Sequence, residues 1–235
     1  MMQILHRPYC PLLSYRDILW QMQQMRAKMQ VTLKTLLCGL RALIDQHPIA
    51  EGRLGIQDNA CAAIDEAIAQ HIWPEPEGSP SPLSKPFVDV MTSRTAHNIC
   101  QDILQISFSW APPNTSDNPL YVAHSHSKAH VELLGPQGII TSQKIRLGLY
   151  GILPDSEYGI RTHPAEEIFI MLAGEAEWLR GDDDYQLKKA GGYAYHPSTM
   201  PHATRTRHSA FMSVYIWTGD VSTDSYRYFG LPNAD

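Results

Sequence analysis

The sequence predicts an α+β protein in which a helical N-terminal region precedes a small antiparallel β-barrel of the jelly-roll type. A long apolar stripe with helical spacing fills the first third of the chain, and short β-type segments separated by Gly, Pro and Asp follow from about Tyr121. A His, Glu and His set lies among those segments. At 235 residues the chain can hold both parts, and we expect helices in residues 1–105 and the barrel in residues 106–235.

The composition indicates a folded protein whose partner is a small molecule. Hydrophobic residues make up 43% and charged residues 18% of the chain, which is too apolar for disorder. The net charge is −5 with no basic run, so binding to nucleic acid or to an anionic membrane has no electrostatic support. The chain contains neither a membrane-length apolar segment nor an apolar signal core, so we expect a cytoplasmic protein.

The cysteines indicate neither a disulfide framework nor a thiolate metal site. They are scattered without a CxxC pair and lie outside the His and Glu region, at Cys10, Cys38, Cys61 and Cys100. We expect all of them to be reduced thiols that are buried or half-buried.

The first helix is predicted from apolar residues that recur every three or four positions. Ser14 can cap its start, Asp17 favours the positive helix end, and Pro48 stops it. The stripe consists of Ile18, Met22, Met25, Met29, Leu33, Leu36, Leu40 and Leu43. Because such a helix exposes a long apolar seam, it either wraps the barrel or pairs with a second subunit, and we expect a homodimer.

Two further helices and a linker complete the helical region. Residues 56–72 carry an inward-facing set of Ile and Ala side chains, and residues 87–104 are predicted to form a third, shorter helix. Between them, the Pro- and Ser-rich segment 74–82 breaks regular structure and is predicted to be a linker.

The barrel is predicted from short strands at regular spacing, which favour a closed antiparallel barrel over an open β-sandwich without a site. Residues 181–184, Gly followed by three Asp, form a hairpin loop between two of these strands. The predicted strands cover residues 131–134, 145–152, 167–172, 176–179, 185–187, 193–196, 203–207 and 211–217.

The candidate metal ligands are His163, Glu167 and His202. Two imidazoles and a carboxylate form a mixed N/O set that suits one divalent ion such as Zn, Fe, Mn or Ni. Residues four apart on a straight strand lie about 13 Å from each other, so a bend between His163 and Glu167 is required. The alternative interpretation is a barrel rim that has these residues but binds no metal.

Other histidines have weaker assignments. His196 is either a fourth ligand or, as its position at a strand end favours, a residue that supports the site. The run His124, His126 and His130 lacks a matching carboxylate and is interpreted as a loop that enters the barrel. Glu166 is expected to point away from the metal, because neighbouring side chains alternate along a strand.

The pattern of these residues resembles the sequence motifs of the cupin superfamily, whose fold is a double-stranded β-helix. Its first motif matches His163, Glu167 and Gly174, and its second motif matches Gly191, Gly192, Pro197 and His202. Within the cupins, the chain is similar to the longer dimethylsulfoniopropionate lyases, which carry a helical N-terminal region. That similarity lies in Tyr158 and in residues 135–138, 163–167, 173–178, 196–198, 201–203 and 217–220.

The resemblance implies a metal-dependent β-elimination that releases dimethyl sulfide and acrylate from a small carboxylate substrate. A divalent metal would hold the substrate carboxylate and acidify the adjacent C–H bond. The sulfonium group is a poorly hydrated cation, which favours an aromatic pocket. The candidates for that pocket are Phe169, Trp178, Tyr195 and Trp217.

The chain departs from the lyase pattern at two positions. Arg161 occupies the place of the first metal histidine, and its guanidinium could instead bind a carboxylate through two hydrogen bonds. Phe169 occupies the place of a tyrosine that is often assigned as the base, so that role is either lost or moves to Tyr158, which is the candidate catalytic residue. The alternatives left open are a cupin that binds a small carboxylate without turnover, and a metal-dependent oxygenase or isomerase on the same barrel.

Overall fold

The structure is a computed structural model that describes residues 14–49, 54–69 and 80–232. The α-helices are α1 (Tyr15–Gln46), α2 (Leu54–Ala69), α3 (Lys85–Met91), α4 (Ile99–Gln105) and α5 (Pro119–Ala123). The strands are β1 (Lys128–Gly135), β2 (Ile140–Thr141), β3 (Ile145–Ile152), β4 (Glu157–Thr162), β5 (Glu166–Arg180), β6 (Gln186–Lys189), β7 (Tyr193–His196), β8 (His202–Arg205), β9 (Phe211–Thr218) and β10 (Arg227–Gly230). The predicted α+β class, with helices followed by a cupin-type barrel, is confirmed.

Helix α1 begins and ends where the sequence predicts. Ser14 and Asp17 form a capping box, and the helix ends two residues before Pro48. The C-terminal half buries Leu33, Leu36, Leu37, Leu40 and Ile44. Towards the N-terminus the side chains of Leu19 and Met22 are 41% and 60% exposed, so Met22 is the described residue of the predicted apolar seam that faces solvent. The side chains of Ile18, Met25 and Met29 lie outside the described residues.

The remaining helices differ from prediction in two respects, of which the first is that α5 was not predicted. The predicted third helix, residues 87–104, is wrong as a single element, because α3 and α4 are separated by the polar segment 92–98. There the Thr92 hydroxyl donates to the Val88 carbonyl, and the His97 amide donates to the Leu172 carbonyl of the barrel at 2.7 Å. Such side-chain and long-range bonds compete with helix continuation. The end of the predicted second helix and most of the predicted linker lie outside the described residues.

Strand β5 is the central strand of the barrel, because it pairs with four other strands. Its first half pairs with β7 and β9, and its second half pairs with β6 and β8. It joins the predicted strands 167–172 and 176–179 into one. The register shifts between Met171 and Ala173, and Gly174 has a φ of 70°. The loop at residues 181–184 connects β5 to its antiparallel partner β6, as predicted.

Alternating side chains of β5 serve two different cores. Ile168, Ile170 and Leu172 pack in the cluster that includes α1 to α4. Phe169 and Met171 belong to the aromatic cluster inside the barrel, and the buried Glu167 has the same parity. The helices therefore cover one outer face of the barrel, and the site faces the interior.

Three strands were not predicted, namely β2, β4 and β10. The most consequential is β4, which pairs with β8 and β10 and carries both Tyr158 and Arg161. Arg161 is only 2% exposed. A buried arginine breaks the apolar and polar alternation by which strands are recognised in sequence, which explains why β4 was missed.

The free cysteines of the described residues are Cys38, Cys61 and Cys100. Cys61 and Cys100 are buried as expected, whereas Cys38 is exposed because it lies on the solvent side of α1. Cys10 lies outside the described residues. In the part of the chain that the structure describes, no helix combines the length and the apolar character that a membrane crossing needs.

Replacing Gly174 by alanine is expected to lower the free energy of unfolding by about 3 kcal/mol, through left-handed strain and overpacking. A Cβ at this position would overlap the carbonyl oxygen of Ala210. Urea unfolding measures the change. The matched control is Gly181→Ala, which has a φ of 57° and open space around it and should cost about 1 kcal/mol. Equal losses in the two variants would contradict the packing argument.

Candidate metal centre

The three predicted ligands converge at one end of the barrel interior. His163 follows β4, Glu167 is the second residue of β5, and His202 is the first residue of β8. One ligand atom from each lies within 4.8 Å of the others, and all three residues are buried. The turn at Pro164 and Ala165 contains the bend that the spacing requires, because it brings His163 Nε2 to 3.7 Å from Glu167 Oε2.

Hydrogen bonds to backbone carbonyls orient both histidine rings. His163 Nδ1 lies 3.1 Å from the Ala165 oxygen, and His202 Nδ1 lies 2.8 Å from the Met200 oxygen. A carbonyl oxygen only accepts, so each Nδ1 carries a proton, and the nitrogen of each ring that can offer a lone pair to a metal is Nε2. Both Nε2 atoms are buried without a hydrogen-bond partner. Together with Glu167 Oε2, they form a set of electron-pair donors that fits a divalent cation.

The protonation states also suit a metal. Burial alone would raise the pKa of the Glu167 carboxyl, but the surrounding imidazoles hold that pKa well below its usual range. Burial, together with the neighbouring His196 and Arg161, lowers the pKa of His202 well below its usual value. Near neutral pH the site therefore presents a carboxylate and a neutral imidazole, the forms that bind metal ions.

Two further side chains hold the Glu167 carboxylate in place. His196 Nδ1 lies 2.8 Å from Oε2, and the indole nitrogen of Trp217 donates to Oε1 at 2.6 Å. Burial lowers the pKa of His196 to about 4, although the bond to Glu167 opposes this shift. The Trp217 ring also stacks on His163, with ring centroids 4.1 Å apart. This geometry favours the supporting interpretation of His196 and gives Trp217 an orienting contact that the sequence did not indicate.

A cavity opens beside the Glu167 carboxylate and is lined by both aromatic and charged groups. The aromatic part consists of Tyr150, Tyr158, Phe169, Tyr215 and Trp217. The polar part includes His130, Glu132, Arg146 and Arg161. Such a mixture suits a small ligand that has one charged end and one apolar or cationic end.

Two predicted pocket residues lie elsewhere. Trp178 packs behind Phe169 in the barrel core, with ring centroids 4.7 Å apart, and is fully buried. The structure does not bring Tyr195 to the cavity. Its hydroxyl donates to Glu166 at 2.7 Å, and its ring packs against the helix-facing core. The reason is strand alternation, since His196, the next residue on β7, points inside the barrel.

Arg161 is a buried cation beside the candidate metal ligands. Its guanidinium lies over the Tyr158 ring, with Cζ 3.9 Å from the centroid, and Nη2 lies 3.4 Å from the Thr204 hydroxyl. Within the described ranges, no carboxylate oxygen lies within 4.0 Å of this guanidinium. Burial would lower the pKa of Arg161, but the nearby Tyr158 and Glu167 raise it, so the group remains charged.

Tyr158, the predicted catalytic residue, also lines the cavity. Its hydroxyl is 2.5 Å from that of Tyr226, and burial raises the pKa of Tyr158 well above its ordinary value. The neighbouring phenols of Tyr121 and Tyr226 raise this pKa further, whereas Arg161 lowers it. Near neutral pH, Tyr158 is therefore a phenol that can donate a hydrogen bond.

Several polar groups in the cavity were missed by the sequence analysis. His124 and His126 lie in the turn after α5, as expected, but His130 belongs to strand β1 and not to a loop. Its Nε2 is 2.8 Å from the Tyr215 hydroxyl. Glu132, two residues further on the same face, forms an ion pair with Arg146 at 2.7 Å. Starting the predicted strand at residue 128 instead of 131 would have placed His130 and Glu132 on one face.

Replacing Lys128 by methionine is expected to flatten the pH dependence of stability. The Lys128 ammonium donates to the His124 carbonyl and lies 4.4 Å from the Tyr158 ring centroid. Burial, with the charge of Arg161, lowers the pKa of Lys128 to about 7, against about 10.4 in an unfolded chain. Between these values unfolding takes up a proton, so stability rises with pH at up to about 1.4 kcal/mol per unit.

Urea unfolding between about pH 7.5 and 9.5 tests this expectation by comparing the slopes of wild type and Lys128→Met. The control is Lys144→Met, since the side chain of Lys144 is 74% exposed and forms only a surface ion pair with Glu66. A variant Lys128→Met that retains the full wild-type slope would show that another group causes the pH dependence.

The comparisons with known proteins relate this chain to one family. Residues 82–212 match the family described as dimethylsulfoniopropionate lyase. A curated relative, the dimethylsulfoniopropionate lyase DddQ of Ruegeria pomeroyi, is 37% identical over 91 residues, which are 39% of this chain and 45% of the relative. The matched stretch therefore spans less than half of the relative's length.

Solved structures show the shared fold. The crystal structure of DMSP lyase DddQ from Ruegeria pomeroyi aligns with a TM-score of 0.58 at 24% identity, covering 83% of this chain and 95% of that chain. A structure from the set of crystal structures of the DMSP lyases RdDddP and RnDddQII aligns with a TM-score of 0.57 at 20% identity. The alignment covers 85% of this chain and 98% of that chain.

Proposed function

Because this chain belongs to the dimethylsulfoniopropionate lyase family, we propose that it is a metal-dependent carbon–sulfur lyase that converts dimethylsulfoniopropionate to dimethyl sulfide and acrylate. One observation carries the proposal. The buried Nε2 atoms of His163 and His202 converge with the Glu167 carboxylate at the end of an aromatic cavity that also holds the cation Arg161.

His163, Glu167 and His202 would hold the metal ion, and His196 and Trp217 would keep the carboxylate of Glu167 in position. When bound, the ion supplies a positive charge that acidifies the C–H bond next to a carboxylate. The identity of the metal remains open among Zn, Fe, Mn and Ni.

Arg161 binds the substrate carboxylate in this proposal. Its guanidinium is charged and buried, and its contacts to the Tyr158 carbonyl and the Thr204 hydroxyl are long at 3.4 Å. A planar guanidinium can donate two parallel hydrogen bonds to a carboxylate. Tyr158, which is a phenol near neutral pH, adds a hydrogen-bond donor beside it.

The aromatic side of the cavity receives the sulfonium group. Phe169, Trp217 and Tyr150 present rings to the cavity, and cations are attracted to aromatic faces when water is excluded. The substrate would thus lie with its carboxylate toward Arg161 and its dimethylsulfonium group against these rings. This orientation brings the C–H bond between them close to the polar groups of the cavity.

Headspace assay of dimethyl sulfide tests the proposal. Protein reconstituted with each divalent metal in turn is incubated with dimethylsulfoniopropionate, and His163→Ala serves as the matched negative control. We expect dimethyl sulfide and acrylate in equal amounts from wild type, and at least about 100-fold less from the variant, because one of three ligands is lost. Wild-type release no higher than that of His163→Ala would reject the lyase function.

The homodimer and the cytoplasmic location expected from the sequence remain predictions. The exposed side chains of Leu19, Trp20 and Met22 on α1 are compatible with a dimer contact. Sedimentation of the purified protein would measure its oligomeric state.

A further inference from the structure

We infer that Tyr215 and His130 form the pair that accepts the substrate proton, with the Tyr215 oxygen taking the proton from carbon and His130 taking the phenol proton. This inference rests on the proposed lyase function and assigns a role within it. Three observations support it. The pair lines the cavity, the two side chains are joined by a hydrogen bond, and the other possible bases in the cavity are engaged elsewhere or have no group that could accept their proton.

An elimination removes a proton from carbon, so a base must face the cavity. Both oxygens of the Glu132 carboxylate already accept hydrogen bonds. Arg146 donates to one oxygen at 2.7 Å, and the backbone N–H of Gln137 donates to the other at 3.1 Å. The Glu167 carboxylate is held by His196 and Trp217 and belongs to the metal ligands. The cavity also contains the His130 imidazole, but its Nε2 is already engaged by the Tyr215 hydroxyl at 2.8 Å. The phenols therefore remain as the groups that can take the proton directly from carbon.

A buried phenol can act as a base only if another group accepts its own proton at the same time. Burial raises the pKa of Tyr150, Tyr158 and Tyr215 well above the ordinary value, so none is a tyrosinate near neutral pH. Among the described residues, the Tyr150 hydroxyl has no hydrogen-bond partner, and the Tyr158 hydroxyl meets only the phenol of Tyr226. The Tyr215 hydroxyl, in contrast, meets an imidazole nitrogen of His130 at 2.8 Å.

His130 is in the form needed to accept a proton. Burial, with the positive charge of Arg146, lowers its pKa to about 4, so the imidazole is neutral near neutral pH. Because a neutral imidazole has one unprotonated nitrogen, Nε2 can receive the hydrogen bond from Tyr215. The centroids of the two rings lie 5.4 Å apart, and the ring planes are tilted by 33°.

The sheet places Tyr215 next to the metal ligands. On β9 it lies two residues before Trp217, whose indole nitrogen contacts Glu167, and directly across from Phe169 on β5. Two residues along a strand correspond to about 7 Å. Tyr215 is thus a neighbour of the site on the same inner face, and its hydroxyl restores to the cavity a phenol that Phe169 cannot provide.

A glycine makes room for this phenol. Gly148 on β3 pairs with Tyr215, and a Cβ at Gly148 would lie 2.7 Å from ring atom Cε1 and 2.9 Å from the hydroxyl oxygen. These separations are shorter than packed atoms tolerate. The absence of a side chain at Gly148 therefore lets the Tyr215 ring lie across β3 and reach His130 on β1.

The proton and electron balance is complete without another reactant. The C–H bond next to the carboxylate breaks, its proton bonds to the Tyr215 oxygen, and the phenol proton moves to His130 Nε2. The electron pair of the C–H bond forms the C=C bond of acrylate. The C–S bond breaks, and its electrons leave with neutral dimethyl sulfide. Loss of one proton from His130 to solvent restores the starting state.

The test compares Tyr215→Phe and His130→Ala with Tyr185→Phe in the metal-reconstituted protein. Tyr185 also forms a phenol hydrogen bond, to Glu157 at 2.6 Å, but it lies outside the cavity. We expect Tyr215→Phe to lower kcat by about 100- to 10,000-fold, the usual range for loss of a general base, with KM within about threefold. Tyr185→Phe should keep wild-type kcat, and added imidazole should restore part of the activity of His130→Ala.

The outcomes are distinct. No dimethyl sulfide from the wild type would reject the lyase function and this pair with it. An active wild type with an equally active Tyr215→Phe would reject the pair alone. A low kcat in His130→Ala that imidazole does not raise would limit His130 to a packing role and overturn the proton relay. Metal content and melting temperature, measured for each variant, separate all of these results from misfolding.

Discussion

Replacing Glu167 by glutamine is expected to abolish stoichiometric metal binding and to lower lyase activity by at least about 1,000-fold. Glutamine has the same shape but lacks the negative charge, which is the only anionic group among the three ligands. Its amide oxygen can still accept from Trp217, but an NH₂ group in the place of Oε2 loses the hydrogen bond to His196 Nδ1. The metal-free variant should therefore melt below metal-free wild type, while added metal should stabilise only the wild type.

Elemental analysis, metal-dependent melting curves and the dimethyl sulfide assay measure these effects. Glu166→Gln is the matched control, because this neighbouring carboxylate points to the opposite face and bonds to Tyr195. It should retain wild-type metal content and activity. A Glu167→Gln protein with one metal per chain would show that the ion is held elsewhere.

Replacing Arg161 by methionine is expected to raise KM by about 10- to 150-fold, which corresponds to the about 1.5–3 kcal/mol of a hydrogen bond to a charged group. The guanidinium is buried and charged, and no carboxylate of the described residues lies within ion-pair distance of it. Removing a buried charge without a counter-ion should also leave the free energy of unfolding unchanged or higher. A loss of substrate affinity without a loss of stability is the signature of a binding group.

Steady-state kinetics and urea unfolding measure the two sides of this expectation. Arg205→Met is the control, because its guanidinium also lies over a tyrosine ring, that of Tyr185, but is paired with Glu177 outside the cavity. Arg161→His adds a second test, since it restores the histidine of the lyase pattern. If Arg161 binds the substrate, this variant should bind metal more tightly and still show a raised KM. An unchanged KM in both Arg161 variants would contradict the assignment.

The closeness of two candidate ligands was predictable because it depends on local chain geometry. His163 and Glu167 are separated by one short turn, and Glu167 and Phe169 share a face through strand alternation. The same rule would have excluded Tyr195, since His196 next to it points inside the barrel. The capping box at Ser14 was likewise readable, because its two partners are three residues apart.

The proton-accepting pair could not be read from the chain in this way. His130 and Tyr215 are 85 positions apart, and their hydrogen bond requires that β1, β3 and β9 pair in one register. A shift of one residue would turn either side chain to the other face. Arg161 posed a related difficulty, because a buried arginine on β4 contradicts the pattern by which strands are recognised.

The amino-acid sequence is therefore sufficient for the fold class, the main helix and the local pair His163 and Glu167, which follow from periodicity, short turns and residue chemistry, whereas His202 follows from the resemblance to the second cupin motif. The composition of the cavity around those ligands follows from strand register and from the depth at which each side chain is buried. These properties depend on contacts between distant segments, and the same long-range contacts keep Arg161 charged, Tyr158 un-ionised and Tyr215 joined to His130.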